Sequence, residues 1–82
     1  MSTLYVKVAV SRRPVSNKAR AIRILASYDE RATVNNALFY AELSLSQLNE
    51  VTLNEVVKRA AVECRARNVS VKVNSDVAKF FA

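Results

Sequence analysis

The sequence predicts an α+β fold: a two-layer sandwich in which an antiparallel sheet of three to four strands carries one main helix, at about 53–67, on one face, with a short C-terminal helical turn. Three observations predict it. Residues 3–11 alternate apolar and polar side chains with a β-branched bias, residues 53–64 repeat apolar side chains at three- and four-residue spacing, and Val69, Val71 and Val73 alternate again. At 82 residues, with 51% apolar and 24% charged, the chain suits a single domain over 1–82 with one thin core and no deep enclosed cavity.

The first strand sets Leu4, Val6, Val8 and Val10 on one side and Tyr5, Lys7 and Ala9 on the other. Residues 12–18 hold the only proline among polar, turn-forming residues and read as a basic loop. Residues 19–31 fit two periods. Alternation groups Ile22, Ile24, Ala26 and Tyr28, whereas helical spacing groups Ile22, Leu25, Ala26 and Asp29 behind a Ser16 or Asn17 cap. The strand is preferred, because Asp29-Glu30-Arg31 is turn-like and another extended stretch, Thr33 to Leu43, follows. Asn35-Asn36 marks the start of that stretch or a bulge in it.

For the helix, Thr52 is expected to open a Thr-x-x-Glu capping box with Glu55, with Val51 and Val56 at the staple positions. Leu53, Val56, Val57, Ala60, Ala61 and Cys64 form its apolar stripe, and Asn68 is expected to take the left-handed position that ends it. The stripe is expected to pack on the side of Val6, Val8, Ile22, Ile24, Phe39 and Ala41. Asn74-Ser75-Asp76 then caps a last turn carrying Val77, Phe80 and Phe81, spaced to close one end of the core.

The composition excludes whole classes of chemistry. With no glycine there is no Gly-rich phosphate loop or dinucleotide fingerprint; with no histidine there is no His-based nucleophile pair or His metal site. Cys64 is the only cysteine and lies on the apolar stripe, where it reads as a small hydrophobe. Asp29 and Glu30 are adjacent, which in a strand sends them to opposite faces. The expectation is therefore no enzyme, no cofactor, no metal and no small-molecule substrate. The alternating N-terminus is unlike a signal peptide, and the longest apolar run, Ala37 to Ala41, is too short to span a bilayer. A cytoplasmic location is expected, with no membrane partner.

Charge supplies the functional signal. The net charge of +6 is carried by residues 1–28, which hold Lys7, Arg12, Arg13, Lys18, Arg20 and Arg23 and no acid, while the remainder is balanced. Such a local excess attracts polyanions. Arg12, Arg13, Lys18 and Arg20 are the first candidates, as a clamp that contacts phosphates without reading sequence. Arg23, Lys7, Tyr5 and Tyr40 follow, since the sheet face away from the helix is expected to gather Tyr5, Lys7, Arg23, Leu25, Leu38, Tyr40 and Lys72, an arrangement on which bases stack while cations meet phosphates. The same Leu25, Leu38 and Tyr40 also suit a second core face covered by a partner subunit, as in a homodimer. The sequence thus predicts a non-enzymatic module that binds nucleic acid or a nucleoprotein. The alternative is a small protein-interaction module, such as a virus- or plasmid-type inhibitor that occupies an acidic surface of a host complex.

Overall fold

In the computed structural model, which describes residues 3–10 and 21–79, the chain forms β1 (Thr3–Val10), β2 (Ala21–Ser27), β3 (Phe39–Ser44), α1 (Glu50–Glu63), β4 (Asn68–Val73) and α2 (Ser75–Ala78). The four strands make one sheet in the order β3-β2-β1-β4. The α+β class, the main helix on one face and the final helical turn match the expectation. The sheet is mixed where an antiparallel one was expected. β1 pairs antiparallel with β2, and β2 with β3, but β4 lies parallel to β1, with Val6 beside Val71 and Val8 beside Val73.

Chain direction explains the parallel pair. A helix of 14 residues is roughly 21 Å long and reverses the full run of a six-residue strand, about 20 Å. A strand, a helix running back and a strand running forward again leave β3 and β4 pointing the same way, and β1 shares that direction because β2 opposes both. The backbone of Asn74 extends the pairing by donating to Val8 O at 2.9 Å.

Alternation decides what the sheet buries. Leu4, Val6, Val8, Ile22, Ile24 and Ala26 are sealed beneath Leu53, Val56 and Ala60 of α1, with Phe39 beside them and Val77 of α2 packed in from the end. This is the face the apolar stripe was expected to cover. Residues 21–27 form the strand, not the helix, of the two periods they fit. The stretch expected to extend from Thr33 does so only from Phe39: Val34–Asn36 instead make a 3₁₀ turn, in which Asn36 Oδ1 accepts from Thr33 N at 2.6 Å.

The helix keeps its expected face and moves its ends. Asn49, not Thr52, is the N-cap: its Oδ1 accepts from Thr52 N at 2.9 Å, and its own N–H donates to Thr52 Oγ1 at 3.1 Å. Thr52 is thus the third residue of the helix, and Val51 is 67% exposed and staples nothing. Leu48 and Leu53 occupy the staple positions instead, both packed with the core. At the far end the left-handed residue is Arg65, with φ 53°, not Asn68, which begins β4. Arg65 N donates to Val62 O at 3.2 Å and Ala66 N to Ala61 O at 2.9 Å, the paired bonds of a Schellman closure. Tyr28 Oη donates to Cys64 O at 2.8 Å and satisfies one further carbonyl of the last turn. Among the described residues no helix is long and apolar enough to cross a membrane.

Candidate functional site

The side chains that point away from α1 form a second surface, and strand register sets their neighbours. One row across the sheet runs Tyr40, Leu25, Lys7, Lys72; the next runs Glu42, Arg23, Ala9; a third runs Ser27, Tyr5, Ser70. Lys7, Arg23, Tyr5 and Tyr40, all sequence candidates, therefore share one face. Lys72 joins them directly beside Lys7. Arg12, Arg13, Lys18 and Arg20 lie outside the described residues, as do Phe80 and Phe81.

This face is not a bare platform. The connection from β2 to β3 folds across part of it, braced by an Asx turn in which Arg31 N donates to Asp29 Oδ1 at 2.9 Å and by Ala32 N donating to Asp29 O at 3.0 Å. Ala32 is buried by this arrangement, and Lys7 Nζ reaches its carbonyl at 3.4 Å. Asp29 and Glu30 sit in the turn, exposed, not in a strand. The connection makes one wall of a groove of about 650 Å³ whose floor and sides include Lys7, Arg23, Leu25, Val34, Lys72 and Asn74, with no acid among the described residues that line it.

Two electrostatic features of the groove are uncompensated among the described residues. Lys7 and Lys72 are partners in register on adjacent strands, and like charges so placed oppose sheet formation by roughly 0.2–1 kcal/mol. Among the described residues Arg23 Nε is buried without a hydrogen-bond partner, and a buried N–H left in that state costs on the order of 1–3 kcal/mol. Glu42 stands beside Arg23 in register, but its carboxylate accepts the hydroxyl of Tyr40. Burial pushes the Tyr40 phenol above its ordinary value, helped by that hydrogen bond and by the charge of Glu42 and partly opposed by Arg23. An anion in the groove would set a counter-charge between the lysines and beside the Arg23 guanidinium.

Elsewhere the chemistry is quiet. Cys64 is half-buried against the core, and burial, then the charge of Glu63, pushes its thiol up, away from the nucleophilic thiolate. The Arg59 guanidinium lies 5.6 Å from the centre of the Phe39 ring and shields the rim of the core. Among the described residues no group of three or more His, Cys, Asp or Glu is placed to hold a metal ion.

No family model matches the chain, and neither the curated proteins nor the solved structures contain a match to it. Its function is therefore argued from the groove. Sequence reasoning gathered Lys72 onto this face without making it a site residue, because alternation shows a residue's face and not which strand will lie alongside. Val34 and Asn74 were missed altogether. Val34 carried no signal, since its neighbours fit the strand period as well as they fit a turn.

Proposed function

We propose that this chain is a non-enzymatic module that binds nucleic acid through the face opposite α1, continuous in sequence with the basic residues Arg12, Arg13, Lys18 and Arg20. The observation that carries the reading is the placement of Lys7 and Lys72 side by side, with Arg23 one row away, in a groove with no acid among the described residues that line it. Cations set against one another in a folded protein cost stability, and a polyanion turns that cost into affinity by releasing counterions. Tyr5 and Tyr40 flank the cations on the same face, where aromatic rings can meet bases.

The test is the salt dependence of binding to labelled single-stranded and duplex oligonucleotides, followed by fluorescence anisotropy. Log affinity should fall linearly with log salt. For single strands each lost phosphate contact reduces the slope by about 0.7, so Lys72→Ala should remove about one such step and the double substitution Arg12→Ala, Arg13→Ala about two. Absence of binding at low salt refutes the reading.

A second reading, a protein-interaction module or homodimer, is favoured by one observation: Leu38 is 62% exposed beside the exposed Tyr40, at the border of the same face. It predicts twice the monomer mass in light scattering, or a stable complex with a host protein, and in the dimer case a monomer after Leu38→Glu.

A further inference from the structure

The groove has a mixed lining that phosphate binding alone does not call for. Lys7, Lys72 and Arg23 present positive charge, whereas Leu25 and Val34 present apolar surface within the same enclosure, and Asn74 adds an amide at one end. A duplex offers phosphates on its outside and keeps its base planes stacked within, so it would leave the apolar part of the groove uncovered. A ligand that is anionic at one end and flat and apolar at the other fills both. Its volume of about 650 Å³ also lies in the range of sites that enclose small molecules, roughly 300–1,000 Å³.

We propose that the groove seats one unpaired nucleotide, its phosphate between Lys7 and Lys72 and beside the Arg23 guanidinium, and its base laid on Leu25 against Val34. This rests on the nucleic-acid reading above and narrows it to single strands, one base of which leaves its neighbours to enter the groove. The wall is what makes the site selective. Val34 belongs to the connection that folds over the sheet and lines the groove, so on this proposal it is the contact that a base still paired in a duplex would not make. Lys7 Nζ reaches towards that wall by its contact with Ala32 O, which brings its charge close to the apolar surface of Val34 and Leu25 in one opening. A free nucleoside monophosphate has the same chemistry as a nucleotide in a strand, and the experiment separates the two sources.

The full chain, labelled with ¹⁵N, is titrated by NMR with AMP, adenosine and inorganic phosphate in turn, and by anisotropy with a single-stranded oligonucleotide and its duplex. AMP should move the amides of Lys7, Arg23, Leu25, Val34 and Lys72 together, at lower concentration than either adenosine or phosphate alone. The single strand should bind more tightly than the duplex. Val34→Trp fills the groove and should weaken single-strand binding about tenfold, the equivalent of one base contact, while leaving duplex binding unchanged. Lys72→Ala, at an exposed position that does not support the fold, should weaken AMP and single-strand binding in the same direction. Equal affinity for single strand and duplex, both indifferent to Val34→Trp, overturns the nucleotide seat and leaves the nucleic-acid reading standing. Failure of both oligonucleotides to bind at low salt overturns that reading; if AMP still binds there, the strand is overturned as the nucleotide's source.

Discussion

Ile24 and Leu25 are neighbours in β2, similar in size and equally apolar, yet they serve opposite surfaces. Ile24 is sealed between the sheet and α1, whereas Leu25 is half-buried in the groove between two cationic positions. The difference teaches how a short chain divides its work. One face gathers nearly all the buried apolar side chains and closes against the helix, with only Asp76 Oδ1 of α2 left buried and unpartnered at its end; the other keeps like charges adjacent and, among the described residues, an N–H unpartnered, features that lower stability and leave something for a ligand to do.

The sharpest way to break this comparison is to truncate the two neighbours separately. Ile24→Ala should lower the unfolding free energy by about 2–5 kcal/mol, a large part of the roughly 4–12 kcal/mol expected for a domain of this size. Leu25→Ala should cost less than about 1 kcal/mol. Urea denaturation measures both. If the two losses are equal, the groove face is a second core, covered in solution by another copy of the chain, and the division fails.

A smaller effect sharpens the covered side. The Schellman closure of α1 needs a left-handed residue, and a chain without glycine supplies Arg65. Arg65→Gly should therefore stabilise by about 1 kcal/mol and raise Tm by about 4–8 °C. An unchanged or lower Tm would mean that the arginine side chain contributes more than its backbone strain takes away. On the groove side, Lys72→Glu should do two things at once: stabilise by about 0.2–1 kcal/mol by relieving Lys7, and weaken oligonucleotide binding. Loss of stability together with binding would show that Lys72 supports the fold instead of straining it.

How much of this was legible in the sequence follows the same division. Covered surfaces repeat, and repetition is readable from one chain: Val6 and Val8, Ile22 and Ile24, and Leu53, Val56 and Ala60 all declare their face through spacing. The start of α1 was read three residues late, because Asn49 and Thr52 are both competent caps and the packing of Leu48 and Leu53 against the core, which favours the first, is not visible in local sequence. The parallel placement of β4 lay in the length of the helix before it, a non-local consequence that strand periodicity does not carry. The groove was least legible. Lys7 and Lys72 are far apart in sequence, Val34 sits in a segment whose pattern suited a strand, and the site exists only because the β2–β3 connection turns back over the sheet.

The smallest expected effect tests whether the polar groups of the groove face act together. The folded protein holds the Tyr40 proton more tightly than the unfolded chain does, because burial and the Glu42 carboxylate disfavour the phenolate. For a group whose pKa is raised on folding, the stability it contributes is intact below the ordinary value of 10.0 and is lost as the pH rises from there through the folded-state value. Tyr40→Phe cannot ionise, so its urea midpoint should decline less than the wild type's above pH 10 and run parallel to it near neutrality. The ring is exposed, so the separation between the two curves should be slight. Curves that stay parallel through the alkaline range would show that Tyr40 and Glu42 meet only in passing, leaving the carboxylate available to Arg23, and would weaken the case that this guanidinium waits for an anion from outside.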